Sequence, residues 1–201
     1  MPINKPLVII ISSPSGAGKS TVTKKLLGKI RDSYLTTSCT TRQPRPGEKN
    51  RIDYFFLTKK KFLILKRSNK FLETAKVFDN YYGTLKSEIK KKYGLILLDV
   101  DWQGARSIRK KIKKNCYSFF LLPPSIKELK SRLTKRHKDN LSIAKQRIRF
   151  AKKDIKFWSE YDHVFINDDL NKCVKQILKQ IDIIRKKNLD IIFFKKFTKK
   201  F

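Results

Sequence analysis

The chain has 201 residues, 40% of them hydrophobic, which suits one α/β domain with a substantial core. Lys and Arg number 49 against 17 Asp and Glu, and the resulting net charge of +32 will attract polyanions such as RNA and DNA. Three widely spaced cysteines argue against a disulfide framework and against a zinc site. The apolar runs are too short for a membrane span or a signal peptide, so we expect a cytoplasmic protein without a membrane partner.

The first predicted elements are a strand, a glycine-rich turn and a helix. Residues 7–11, LVIII, form an apolar run rich in β-branched residues, which is typical of a buried parallel strand. The turn SPSGAGKS follows at 13–20, and TVTKKLLGKI at 21–30 has apolar residues at helical spacing. This order is the context that a phosphate-binding loop requires.

The remaining elements divide into two kinds. Residues 34–93 are rich in Thr, Pro and short alternations, which predicts an inserted subdomain of small strands and loops with helices at 58–68 and 84–92. Further strands are expected at 95–101, 117–122 and 163–167, and further helices at 103–113, 125–136, 142–158 and 170–187. Strands alternating with helices predict an α/β fold whose mostly parallel sheet is covered on both faces. Residues 188–201 are left without a predicted element.

The turn at 13–20 is close to the P-loop pattern G-x-x-x-x-G-K-[ST], with Ser13 in place of the first glycine. In such a loop, backbone N–H groups cradle the β-phosphate, Lys19 reaches the β- and γ-phosphates, and the Ser20 hydroxyl binds Mg²⁺. The candidate ATP-binding residues of the loop are Ser13, Pro14, Ser15, Gly16, Ala17, Gly18, Lys19 and Ser20.

Five further motifs follow in the chain. They are Ser38-Cys-Thr-Thr-Arg42-Gln-Pro-Arg45-Pro-Gly-Glu48 with Asp53-Tyr54, Phe71-Leu-Glu73, Asn80-Tyr81-Tyr82-Gly83-Thr84, Leu98-Asp99-Val100-Asp101-Trp102-Gln103-Gly104, and Ile166-Asn167-Asp168-Asp169-Leu170. Together with the P-loop, this series resembles the guanylate kinases in colinear order from about residue 6 to about residue 187. The resemblance implies a P-loop NTPase core, an inserted GMP-binding subdomain and a mobile lid.

The resemblance also implies the division of the chain and its reaction. The domain would cover 5–187, with core segments 5–33, 94–127 and 159–187, the GMP-binding insertion at 34–93 and the lid at 128–158, followed by a basic and apolar tail at 188–201. The expected reaction is Mg²⁺-dependent, in-line transfer of a phosphoryl group from the co-substrate ATP to GMP, in purine nucleotide metabolism and GMP recycling.

The acceptor site implied by the resemblance fits the chemistry of GMP. Two guanidinium forks and two phenols suit a dianionic phosphate, and a carboxylate accepts from guanine N1–H and N2, where adenine presents an acceptor. Glu73 is therefore expected to select guanine. The phosphate site maps to Arg42, Arg45, Tyr54 and Tyr82, and the base site maps to Ser38, Glu73, Thr84 and Asp101.

The transfer step needs positive charge around the moving phosphoryl group. The family's lid arginines match Arg132, Arg136 and Arg147, which join Lys19 and Arg42 as expected catalytic residues. Asp99 lies where a carboxylate would support Mg²⁺ through water, with Ser20 as the other metal residue, and Asn167 matches a position near the adenine of ATP.

Two departures from the family pattern stand out. The lid sequence that usually reads Gly-Arg-Gly is Lys135-Arg136-His137, which removes two glycines from the lid hinge. The stretch between Thr84 and Asp101 is about one helical turn short. Neither departure removes a residue assigned to the chemistry.

Three alternatives to the active enzyme stay open at this point. A scaffold that kept the fold but lost turnover is disfavoured by the intact Gly18-Lys19-Ser20, and a different phosphorylated acceptor is disfavoured by Glu73. A nucleic-acid-binding protein would use the +32 charge, but the lysines are scattered and no RNA-binding signature occurs. We expect ATP and GMP as partners, no specific nucleic acid, and non-specific polyanion binding at low salt. The oligomeric state is left open.

Overall fold

The computed structural model describes residues 6–77, 79–136 and 141–198, with the backbone alone for residues 136 and 189–197. Nine strands and six helices alternate along these residues. In chain order they are β1 (Leu7–Ser12), α1 (Lys19–Leu27), β2 (Ser33–Leu35), β3 (Cys39–Thr40), β4 (Phe55–Phe56), α2 (Lys59–Arg67), β5 (Phe71–Val77), β6 (Asn80–Leu85), β7 (Leu95–Asp99), α3 (Trp102–Lys111), β8 (Cys116–Leu122), α4 (Ile126–Arg136), α5 (Leu141–Ile155), β9 (His163–Ile166) and α6 (Leu170–Phe197).

The core sheet contains five parallel strands in the order β2-β7-β1-β8-β9. Successive residues of β1 point to opposite faces, so Ile9 packs under α1 and α6 while Ile10 packs on the α3 side. Strands buried on both faces become continuous apolar runs, which explains LVIII at 7–11 and LILL at 95–98. Parallel strands bring all their carboxyl ends, and the loops that follow them, to one edge of the sheet.

A second, smaller sheet has the order β4-β3-β6-β5 and mixes parallel and antiparallel pairs. Its apolar face packs on α2, where the fully buried Phe62 stacks on Phe71 at 4.5 Å and on Tyr81 at 5.4 Å between ring centroids. Thr58 begins α2 as its N-cap and accepts a hydrogen bond from the Lys61 N–H at 3.2 Å. This sheet therefore has a core of its own.

Helices α4 and α5 form a pair between β8 and β9. Leu129 and Leu133 of α4 pack against Ala151 of α5, with Ile148 and Ile155 at the margin of the contact. Within the ranges given above, no helix is long and apolar enough to cross a membrane.

The observed architecture confirms an α/β fold with a parallel core sheet and a separate mixed sheet. One predicted element is wrong, namely the helix at 84–92. Thr84 and Leu85 instead end β6 and pair with Glu73 and Phe71 of β5, and only a 3₁₀ turn, Glu88–Lys90, follows. The polar and basic sequence KSEIKKK has Ile89 as its one apolar residue, so it offers no apolar stripe to a longer helix.

Two boundaries also shift. Tyr34 and Leu35 lie in β2 and pair with β7 in the core sheet, so these two residues of the predicted insertion belong to the core sheet. The last helix, expected at 170–187, continues to Phe197.

Candidate functional site

The glycine-rich turn connects β1 to α1 at the carboxyl edge of the core sheet. Gly16 and Gly18 both have φ of +89°, in the left-handed region that favours glycine. A Cβ at Gly18 would also collide with the amide of Asn167, whose Nδ2 donates to the Ala17 carbonyl at 2.7 Å. In the described structure no side chain caps the start of α1, and its first turn holds no acidic residue. The free N–H groups at this helix start can therefore bind an anion.

Lys19 lies at the end of this turn and is held by the neighbouring strand. Its Nζ pairs with the Asp99 carboxylate and donates to the Val100 carbonyl at 3.0 Å. Parallel pairing places Ile11 beside Asp99, so the turn after β1 starts next to this carboxylate. Ser20 is exposed at the first turn of α1. A lysine, a carboxylate and a hydroxyl thus share one edge of the sheet.

Three of the predicted base-site residues form one hydrogen-bond chain in the second sheet. The Thr84 hydroxyl donates to Glu73 Oε1 at 2.9 Å, and Ser38 Oγ lies 3.3 Å from Thr84 Oγ1. Because Thr84 has a single hydroxyl proton and gives it to Glu73, Ser38 must donate to Thr84. The chain therefore directs its donors toward the carboxylate of Glu73.

Glu73 is buried, with 4% of its surface exposed. Burial raises its pKa to about 7, and the negative charge of Asp101 adds to this effect while the Thr84 hydrogen bond opposes it. A Cβ at Gly104 would lie 3.0 Å from Glu73 Oε2, so the glycine leaves room for the carboxylate. Asp101 caps α3, accepting from the Gly104 N–H at 2.8 Å. The two acids of the predicted base site are thus close enough to interact.

The predicted phosphate-site residues lie around Arg42 and its partner Glu48. Arg42 makes a bidentate pair with this glutamate, at 3.0 Å from Nη2 to Oε1 and 2.9 Å from Nη1 to Oε2, and the Arg45 N–H donates to Oε2 at 2.8 Å. The Arg42 guanidinium lies 5.4 Å from the ring centroid of Tyr54, which is 6.2 Å from that of Tyr82. Partial burial raises the pKa of Glu48, but the bonds from Arg42 and Arg45 outweigh it and lower that pKa overall. Glu48 is therefore an anion of the protein itself that pairs with both arginines.

The predicted acceptor segment lies next to the P-loop helix. Burial raises the pKa of Tyr54, and the negative charge of Asp99 raises it further. Lys24 of α1 also reaches Asp53, with 3.4 Å between Nζ and Oδ1. The P-loop helix and the segment before β4 are therefore neighbours.

The predicted lid arginines lie on α4 and α5. The Arg132 Nε donates to Glu128 Oε1 at 2.8 Å, and its Nη1 donates to the Asn167 carbonyl at 3.4 Å, which brings Arg132 beside the P-loop. Arg147 lies half-buried on α5. Arg136 is the last residue of α4, and its side chain lies outside the described residues. His137, which stands where the family pattern has a glycine, also lies outside them.

Two acidic residues near the site were not assigned from the sequence. Glu48 was visible in the motif R-Q-P-R-P-G-E, but its role as partner of both arginines is a three-dimensional property. Burial, followed by the charge of Asp101, raises the pKa of Asp154 on α5 to about 6, while the side chain of the nearby Trp102 lowers the pKa of this carboxyl in part. Nothing in the lysine-rich sequence around Asp154 distinguishes it from a solvated acid.

Comparisons with known proteins agree on one family. A family model described as guanylate kinase matches residues 5–183. A guanylate kinase of Rickettsia bellii is 46% identical over 177 residues, 87% of this chain and 92% of the relative, and one of Rickettsia prowazekii is 46% identical over 188 residues, 92% and 95%. A crystal structure of guanylate kinase from Anaplasma phagocytophilum superposes with a TM-score of 0.75 at 29% identity, covering 90% of this chain and 87% of that chain.

Proposed function

The chain belongs to the guanylate kinase family and converts ATP and GMP into ADP and GDP, and from that premise we propose how its residues share the reaction. The observation that carries the proposal is the proximity of the two predicted sites. Lys19 of the P-loop pairs with Asp99, and Lys24 of the same helix reaches Asp53, the residue before Tyr54, with 3.4 Å between Nζ and Oδ1. A phosphate donor at the loop and a phosphate acceptor at the tyrosine would then face one another, as in-line transfer requires.

The ATP site in this proposal is the loop from Ser13 to Ser20, together with Asn167. Backbone N–H groups of the loop hold the β-phosphate, and Lys19 exchanges its bond to Asp99 for the β- and γ-phosphate oxygens. Asn167 is supported in this place by its hydrogen bond to the Ala17 carbonyl, which ties the residue to the loop. Its expected neighbour is the adenine.

Mg²⁺ fits the oxygen ligands at this edge of the sheet. The metal favours hydroxyl, carboxylate, water and phosphate oxygens, and Ser20 and Asp99 supply the first two kinds. When bound, the metal would supply positive charge that offsets the negative charge of the ATP phosphates. Ser20 would hold it directly and Asp99 through water.

The acceptor site reads GMP at two ends. Glu73 accepts from guanine N1–H and N2, assisted by Ser38, Thr84 and Asp101. The phosphate replaces Glu48 as the partner of Arg42 and Arg45 and accepts hydrogen bonds from the Tyr54 and Tyr82 hydroxyls. The support is the observed grouping, because the four base-site residues and the four phosphate-site residues form two separate clusters. For the transfer step, Lys19, Arg42, Arg132, Arg136 and Arg147 would stabilise the charge of the moving phosphoryl group.

The proposed subdomains follow the same division. The core comprises segments 5–33, 94–127 and 159–187, with β2 counted in the core sheet. The acceptor insertion lies between the first two segments, and the lid spans 128–158.

A cytoplasmic location and the absence of a specific nucleic acid partner stay predictions. Polyanion binding should occur at low salt without sequence preference, since release of condensed counterions drives it.

The decisive experiment measures ADP release by the whole chain with GMP, AMP, UMP or no acceptor, each with and without Mg²⁺. We expect turnover with GMP that is lost when the metal is chelated, and at most weak turnover with AMP or UMP. Equal turnover with AMP would contradict the assignment of Glu73. Full activity in the presence of a chelator would contradict the metal site.

Titration of unrelated RNAs at low and near-physiological salt tests the charge interpretation. Tight and sequence-selective binding at the higher salt would contradict the prediction that polyanions bind without sequence preference.

A further inference from the structure

One buried carboxylate takes no part in the chemistry proposed above. Glu88 lies in the 3₁₀ turn after β6 and is 4% exposed. Its Oε2 accepts two hydrogen bonds, from the Tyr34 hydroxyl at 2.5 Å and from the Thr37 N–H at 2.8 Å. A buried carboxylate is costly unless hydrogen bonds hold it, so these two donors account for its position.

The place of Glu88 in the chain gives these bonds a consequence. The backbone runs from the core sheet to the second sheet through residues 36–38, and it returns through residues 86–94. Glu88 belongs to the return segment, Tyr34 lies in β2 of the core sheet, and Thr37 lies in the outgoing segment. Tyr34 also stacks on Tyr93 of the return segment, with ring centroids 5.2 Å apart. The carboxylate therefore fastens the two connections to each other.

The outgoing segment leads directly to the base site. Thr37 precedes Ser38, whose hydroxyl starts the hydrogen-bond chain to Thr84 and Glu73. The Ser38 carbonyl accepts from the Phe55 N–H at 2.9 Å, so the residue is held on its far side by β4. On the near side, the Thr36 N–H donates to the Leu97 carbonyl at 2.9 Å and the Thr37 N–H donates to Glu88. Without Glu88, the outgoing segment loses the backbone bond directly before Ser38 and is held on the near side by the bond at Thr36.

We propose that Glu88 is a positioning residue for the base subsite of the acceptor nucleotide, acting through Thr37 on Ser38. The inference rests on the proposed role of Ser38, Thr84 and Glu73 in binding guanine. Glu88 acts on the acceptor side alone, because its two bonds go to β2 and to the outgoing segment and neither goes to the P-loop. Its removal should therefore weaken GMP binding and leave ATP binding unchanged.

The test compares Glu88→Ala with Glu88→Gln in steady-state kinetics with each substrate varied. We expect Glu88→Ala to raise the KM for GMP about tenfold, in line with loss of a charge-assisted hydrogen bond, with kcat and the KM for ATP within about twofold. The carbonyl oxygen of the glutamine in Glu88→Gln can accept from both donors, so this variant should recover most of the affinity. Asp182→Ala, an exposed acid on α6, is the matched control for the change in charge and should leave both KM values unchanged.

A double-mutant cycle with Ser38→Ala separates the two proposals. If Ser38→Ala leaves the KM for GMP unchanged, the assigned base site is wrong. If Ser38→Ala raises that KM but Glu88→Ala does not, only the positioning role is wrong. Equal increases in the KM for both substrates, or additive effects of the two substitutions, would also overturn the positioning role. Should Glu88→Ala fail to fold, Glu88→Asp, whose shorter side chain cannot reach both donors, takes its place with the same expected direction, and an unchanged KM for GMP would overturn the proposal.

Discussion

The two sheets of this protein carry proposed sites that are built by different means. At the edge of the core sheet, the proposed anion site is made of backbone, with two glycines at positive φ and the uncapped start of α1. At the second sheet, the proposed GMP site is made of side chains that already have partners, Arg42 with Glu48 and Thr84 with Glu73. The first site is fixed by the conformation of the loop, whereas the second would have to exchange internal bonds for bonds to GMP. Substitutions should therefore affect the two sites differently.

The largest effect should come from Lys19, the cationic side chain that belongs to the backbone-built loop itself. Lys19→Ala should lower kcat about a thousandfold, or roughly 4 kcal/mol of transition-state stabilisation, and leave GMP binding largely intact. Lys24→Ala on the same helix is the control and should stay near wild-type turnover. Unchanged turnover in Lys19→Ala would remove the contrast between the sheets, because the P-loop assignment would fail.

The second largest effect should come from Glu73 in the site made of side chains. Glu73→Gln keeps the size but presents a mixed donor and acceptor edge to guanine, and a site built on hydrogen bonds loses much discrimination when one is removed. We expect kcat/KM for GMP to fall at least about a hundredfold, or roughly 2.7 kcal/mol. Measuring GMP and AMP side by side checks this. A preference for GMP that survives intact would mean that the base is read elsewhere.

The pH dependence should distinguish the sites more finely. In the proposed base site, Glu73 would accept from guanine only as a carboxylate, and burial raises its pKa in the free protein to about 7. Protonation as the pH falls through this value should raise the KM for GMP, by about tenfold between pH 8 and pH 6. Glu73→Gln is the control, since titration of the GMP phosphate persists in it while titration of the carboxyl is lost. Identical pH profiles of the two proteins would contradict the role of Glu73.

The smallest effect should come from the surface pair that joins the two regions. Lys24 is 72% exposed, and its pair with Asp53 spans 3.4 Å. Exposed ion pairs contribute about 0–1 kcal/mol, so Lys24→Ala should change the free energy of unfolding by less than about 1 kcal/mol and the kinetic constants by less than about twofold. Denaturant titration and steady-state rates measure both. A larger loss would mean that contact between the two regions, rather than each site alone, limits the reaction.

The contrast between the sheets also decides what the sequence could predict. Strands such as 7–11 and 95–99 could be predicted because burial on both faces requires a continuous apolar run. The P-loop could be predicted because its conformation requires glycines. The predicted helix at 84–92 is wrong because Thr84 and Leu85 pair with Glu73 and Phe71 across the β5-β6 hairpin, and local propensity does not contain that pairing. Glu88 likewise depends on donors from Tyr34 and Thr37 that the fold brings to it. Glu48 has its partners close by in the chain, but the sequence alone does not show which neighbouring charges will pair.

Glu48 has a consequence for which anions reach the acceptor arginines. It is tethered six residues from Arg42 and three from Arg45, so it competes for their guanidinium groups as an intramolecular ligand at an effective concentration on the order of millimolar or more. A small anion such as inorganic phosphate has only its charge to set against this competitor. In the proposed acceptor site, GMP would add the contacts of its base and displace Glu48 with the combined binding free energy of base and phosphate. Despite the net charge of +32, we therefore expect simple anions to leave Glu48 paired with Arg42 and Arg45.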